Sequence, residues 1–106
     1  MSEKIQELTA EDFGRETAQG LTLVDFWAPW CMPCLMQGPI LERVAARIDG
    51  KARIAKINVD EHPTLADRFS IEGIPTMLLL KEGAVQQRFV GVQDEDTLVV
   101  AIESAE

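Results

Sequence analysis

The sequence predicts a single α/β domain, residues 1–106, built as a three-layer α/β/α sandwich: a mixed central sheet with helices on both faces and an antiparallel hairpin near the end. Three observations carry this. Short apolar, β-rich runs alternate with segments of helical period, the pattern of strand–helix–strand units. The last two runs are separated only by "EG" at 82–83, a hairpin turn. At 106 residues, with 46% apolar and 26% charged residues, the chain has one ordinary globular core and no room for two.

The elements follow in order. "LTAEDFGRETAQG" (8–20) reads as a helix, capped by Thr9 with Asp12 three residues on and closed by Gly20. "LTLVDFW" (21–27) is a buried strand. A helix starts near Pro33, whose missing N–H costs nothing in a first turn. It carries Leu41, Val44, Ala45 and Ile48 on one face, is expected to kink at Gly38-Pro39, and stops at Gly50. "ARIAKINVD" (52–60) is a strand, "HPTLADRF" (62–69) a short helix, and "TMLLLK" (76–81) and "AVQQRFV" (84–90) the hairpin. A last helix runs from Asp94 with Leu98, Ala101 and Ile102 inward. Strands separated by a helix are expected to be parallel, with right-handed crossovers.

Composition narrows the function. A net charge of −8 offers nothing to neutralise phosphates, which argues against nucleic acid and anionic membranes. Residues 1–20 hold no run suited to a signal peptide, and no stretch of about 18 apolar residues could span a bilayer. A cytoplasmic location follows as the expectation, and there permanent disulfides are rare. No glycine-rich phosphate loop and no metal set occur, so no resident cofactor is expected.

The only cysteines, Cys31 and Cys34, form a Cys-x-x-Cys pair with three physical readings. As a staple, closing a four-residue loop gains only roughly 2 kcal/mol. As half of a zinc site, the pair lacks partners beyond His62 and carboxylates, and His62 suits a solvated turn before Pro63. As a redox dithiol, the pair sits beyond the carboxyl end of a strand and at the mouth of a helix. There the free N–H groups and the macrodipole favour a thiolate on Cys31. Cys34, one turn on, is then the shielded partner beneath an exposed Cys31 sulfur.

Two charges interrupt apolar strands. Asp25 shares strand parity with Leu23 and Trp27. It lies either at a wet edge or buried with a raised pKa, where it could take the proton of Cys34. Lys56, in "IAKINV", is either a snorkelling lysine or a neighbour that tunes Asp25. Residues 28–41 hold no charge at all. Met36, Ile40 and Leu41 read as core, whereas Trp30, Met32, Pro33 and Leu35 flank the thiols. The uncharged loops 73–76 and 90–92 complete a neutral collar that suits extended protein substrates. That same collar supports an alternative in which the chain is a docking or holdase-like module indifferent to its thiols.

"VDFWAPWCMPC", "PILERVA", "AKINVDEHP", "IEGIPTMLLLKEG" and "FVG", in this order and spacing, resemble the thioredoxin family over nearly the whole chain. The resemblance implies the fold above and a protein-disulfide reductase, and the chain is expected to be a monomer. In it Cys31 attacks, Cys34 resolves, Asp25 is the buried acid and Lys56 its neighbour. It implies a cis peptide at Ile74-Pro75 facing the cysteines and Gly91 in the third loop of a groove with Trp30, Met32 and Pro33. It also implies disulfide-containing protein substrates and recycling by a flavoprotein thioredoxin reductase fed by NADPH. Met32 stands where the family has glycine and Leu35 where lysine is common. Both substitutions bear on the reduction potential, and a more oxidising, isomerase-type protein is the further alternative.

Overall fold

The fold was read from a computed structural model in which residues 5–106 are described; the first four residues of the expected domain lie outside them. Among the described residues nine elements follow in chain order: β1 (Ile5–Glu7), α1 (Phe13–Thr17), β2 (Leu21–Trp27), α2 (Met32–Ile48), β3 (Arg53–Asn58), α3 (Pro63–Arg68), β4 (Thr76–Lys81), β5 (Ala84–Val90) and α4 (Glu95–Ala105). The strands form one sheet in the order β1-β3-β2-β4-β5.

β2 lies at the centre because it is the most apolar strand, with only its last residue partly exposed. Strand alternation then sorts the core onto two faces. Leu23, Ile54, Met77 and Leu79 pack against Leu41, Val44 and Ile48 of α2 and Leu98 and Ile102 of α4. Val24, Phe26, Ile57, Leu78 and Leu80 pack on the other side against Phe13 of α1 and Leu65 of α3. The three-layer α/β/α sandwich with a mixed sheet and an antiparallel hairpin is therefore what forms. In the hairpin, Glu82 (φ 52°) and Gly83 (φ 84°) both adopt left-handed backbone, the requirement of the two-residue turn that matches strand twist.

Four expectations need correction here. The sequence reading begins with a helix, yet a strand precedes it: β1 is three residues long, runs parallel to β3 and has two exposed residues. Pairing with β3, not an apolar pattern, makes it a strand. The helix expected over 8–20 contracts to α1. The Thr9–Asp12 pair bonds reciprocally, with the Thr9 N–H donating to Asp12 Oδ1 (2.7 Å) and the Asp12 N–H donating to Thr9 Oγ1 (3.2 Å), but it closes the turn before the helix: Asp12, not Thr9, is the N-cap of α1 and makes no side-chain cap bond there. β2 and β3 are parallel as expected, but β4 is antiparallel to β2. β4 therefore starts at the end of the sheet where β3 stopped, and the segment that holds α3 does not return the chain to the other end. Finally, Met36, read as core, is 62% exposed. α2 turns Cys34, Gln37, Leu41, Val44, Ala45 and Ile48 inward, and the helical period puts the residue before Gln37 on the outer face. The helix continues through Pro39.

Candidate active site

β2 ends at Trp27 and α2 begins at Met32, so the intervening turn delivers the cysteines to the carboxyl ends of the parallel strands. Cys31 is the N-cap of α2, with extended backbone, and Pro33 occupies the first turn. The Cys31 Sγ accepts the Cys34 N–H at 3.2 Å, satisfying one of the orphan donors of a helix start. The two residues are joined as a disulfide, with their Cα atoms 5.2 Å apart. No acidic residue stands in the first turn of α2, so nothing there opposes negative charge on sulfur.

The expected contrast between an exposed Cys31 and a covered Cys34 is not found in whole-residue exposure, which is 5% and 3%. Both cluster with Ala28, and Trp27, Val59 and Ile74 pack against that cluster. Cys31 also faces Ile74, whose carbonyl oxygen is 3.7 Å from Sγ, and the Ile74-Pro75 bond is cis. Gly91 joins the same assembly: its N–H donates to the Pro75 carbonyl at 2.8 Å. Its φ of 88° is backbone that a residue with a Cβ rarely adopts.

Asp25 is buried, at 1% exposed, so the wet-edge reading falls. Strand parity puts it on the α2–α4 face of the sheet with Leu23, beneath the helix that carries the cysteines. Neither carboxyl oxygen has a hydrogen-bond partner among the described residues. Desolvation pushes its pKa from 3.8 up to about 7, with Lys56 acting in the lowering direction and Glu7 in the raising one. Lys56 is the direct register partner of Asp25 on β3, and Glu7 is the register partner of Lys56 on β1. The Lys56 Nζ lies 4.1 Å from the Trp27 ring centre, and the Trp27 Nε1–H donates to Glu7 Oε2 at 3.1 Å. Three neighbouring strands thus place an acid, a base and a second acid in one row.

Around the disulfide, Trp30, Met32, Leu35, Met36, Val90 and Val92 are exposed apolar side chains. Trp30 is held by its Nε1–H, which donates to Asp60 Oδ2 at 2.7 Å. Beside it lies a cleft of about 210 Å³ lined by Trp30, Val59, Ala66, Ile71, Glu72 and Ile74. Among the described residues, no three His, Cys, Asp or Glu side chains cluster as a metal site. His62 instead caps α3 and accepts the Ala10 N–H on Nδ1 at 3.4 Å. No helix among the described residues is long and apolar enough to cross a membrane.

The sequence reading thus named residues that the fold brings together: Cys31, Cys34, Trp30, Met32 and Pro33 at the start of α2, with Ile74, Pro75 and Gly91 on adjoining loops. Asp25 and Lys56 lie in the sheet below. It missed Glu7, Asp60 and Gln37. Asp60 was within reach, because it lies two residues beyond a strand whose carboxyl end faces the site. Glu7 carried no signal, since its strand has no apolar pattern.

The family model described as Thioredoxin matches residues 4–104. A protein named Thioredoxin 2 from Chlorobaculum tepidum is 48% identical over 93 residues, 86% of this chain and 85% of that protein. A thioredoxin from Staphylococcus saprophyticus is 42% identical over 99 residues, 93% and 95% of the two chains. Among solved structures, a point mutant of thioredoxin from Halobacterium salinarum NRC-1 superposes with a TM-score of 0.87. It has 35% identity and covers 95% of this chain and 89% of that one.

Proposed function

The chain belongs to the thioredoxin family and is a protein-disulfide reductase acting by dithiol–disulfide exchange, and on that premise we propose how its residues divide the reaction. The Cys31 thiolate attacks one sulfur of a substrate disulfide. A Cys31–substrate disulfide forms, and the other substrate sulfur leaves as a thiolate that takes a proton from solvent. Cys34 then loses its proton and attacks Cys31 Sγ, which breaks the mixed disulfide and releases the second substrate thiol. Two electrons pass from the dithiol to the substrate, and the Cys31–Cys34 disulfide is left behind. Asp25 takes the proton of Cys34. The observation that carries this role is a carboxyl buried under the cysteine helix, without hydrogen-bond partners, whose pKa is raised to about 7. An acid of that strength is a competent base near neutral pH. Lys56 and Trp27 hold the charge balance around it.

The substrates are disulfide-containing proteins. Trp30, Met32, Pro33, Ile74, Pro75 and Gly91 form the groove that receives the extended segment around the substrate disulfide, and its lack of charge makes it tolerant of sequence. The oxidised pair is returned to dithiol by a flavoprotein reductase fed by NADPH. The protein works as a cytoplasmic monomer, with residues 1–106 as one domain.

The test is covalent trapping. A Cys34→Ser variant, incubated with protein disulfides, accumulates a mixed disulfide on Cys31 that dithiothreitol releases. The assignment fails if a Cys31→Ser, Cys34→Ser double variant reduces a protein disulfide as fast as wild type. Binding of partners that is identical for oxidised and reduced protein would favour the docking-module reading instead.

A further inference from the structure

Gln37 is a polar side chain where α2 should be apolar. It lies on the inward face with Cys34 and Leu41 and is 0% exposed. Burying a carboxamide without partners costs about 1–3 kcal/mol, so its bonds explain its presence. Its Nε2–H donates to the Gln93 carbonyl at 3.0 Å, and its Oε1 accepts the Gln93 N–H at 2.8 Å. One side-chain amide thus satisfies both backbone groups of a single residue, as a neighbouring strand would.

Gln93 ends the loop that follows β5. Its own Nε2–H reaches back to the carbonyls of Val90 (3.2 Å) and Gly91 (3.3 Å). Gly91 is tied to Pro75 at 2.8 Å, and Ile74 stands against Cys31 Sγ at 3.7 Å. The links close a ring: from Cys31 along α2 to Gln37, across to Gln93, back to Gly91, over to Pro75 and Ile74, and home to Cys31. All three loops of the groove are in it, and the Gln37 side chain is the link it takes from α2.

We propose that Gln37 is a positioning residue that locks the Gly91–Gln93 loop to the cysteine helix and so fixes the width of the groove for protein substrates. The inference rests on the groove reading given under Proposed function. It touches no reacting atom, so its effect falls on docking. A small disulfide, which needs only the sulfur, does not feel it.

The experiment compares wild type with Gln37→Met, which keeps the length and loses both bonds, in reduction of insulin and of the small aromatic disulfide dithionitrobenzoate. For insulin, KM is expected to rise about tenfold, the equivalent of about 1.4 kcal/mol, with kcat changed less than about twofold. The dithionitrobenzoate rate is expected to stay within about twofold. By amide exchange, the Gln93 N–H is expected to be protected in wild type and to lose that protection in the variant. An unchanged insulin KM, an equal loss with both disulfides, or a Gln93 N–H that exchanges freely in wild type overturns the inference. If Gln37→Met unfolds, Gln37→Asn retains one polar group and is expected to give an intermediate KM; a wild-type KM there overturns the inference equally. A wild type that fails to reduce insulin would instead overturn the proposed function, and the two failures are distinct.

Discussion

Replacing Asp25 by asparagine should stabilise the oxidised protein, by an amount set by pH. A carboxyl whose pKa is higher folded than unfolded costs stability whenever the unfolded chain releases its proton more readily than the folded one. Below pH 3.8 both states hold the proton and the cost vanishes. Between 3.8 and about 7 the unfolded state ionises first and the cost grows; above about 7 both are ionised and it is constant. The interval from 3.8 to about 7, at about 1.4 kcal/mol per tenfold in proton affinity, gives about 4 kcal/mol at the plateau. The residue is 1% exposed, so solvent screening does not reduce this. Asparagine cannot ionise, and whatever its amide costs in the same place is independent of pH. Urea unfolding of both oxidised proteins at pH 4, 6 and 8 therefore isolates the acid. The stability difference, variant minus wild type, is expected to rise by about 4 kcal/mol from the lowest to the highest pH. A difference that stays flat would refute the burial of an ionising carboxyl at this position, and with it the case for Asp25 as the proton acceptor.

Further outcomes follow from neighbouring residues. Lys56→Met removes a charge that lowers the Asp25 pKa, so the pH midpoint for resolution of the mixed disulfide should move to higher pH. Glu7→Gln removes a charge that raises it, so the midpoint should move to lower pH; stopped-flow reduction across pH 5–9 reads both, and shifts in the same direction would contradict the row of charges. Leu98→Ala, at a fully buried contact of α4 with the sheet, should cost about 2–5 kcal/mol in urea unfolding without altering the pH profile; a loss below about 1 kcal/mol would contradict the packing.

Most of this architecture was legible because local pattern and tertiary demand agree. The runs 21–27, 76–81 and 84–90 are apolar enough, and punctuated sharply enough, that the strands begin and end where the sequence places them. The illegible parts are those decided by distant partners. β1 is a strand only because β3 offers it a ladder. The direction of β4 is set by its antiparallel pairing with β2 and β5, which a rule about strands and helices does not weigh. Met36, expected in the core, is exposed, and Gln37 is buried beside it, because a glutamine with two backbone partners can be buried more cheaply than its polarity suggests, and those partners lie 56 residues away along the chain. The site shows the same division. Cysteine spacing, Asp25 in an apolar run and the uncharged collar are local signals. The burial of Cys31, the row Glu7–Lys56–Asp25 and the Trp30–Asp60 bond depend on how strands and loops assemble.

The direction of electron flow is tested most directly by the reduction potential of the Cys31–Cys34 couple, measured by equilibration against glutathione and dithiothreitol. A reductant of protein disulfides is expected near the about −270 mV characteristic of thioredoxin. A value near or above about −180 mV, in the range of disulfide isomerases and oxidases, would contradict the account and assign the protein to oxidation or isomerisation instead.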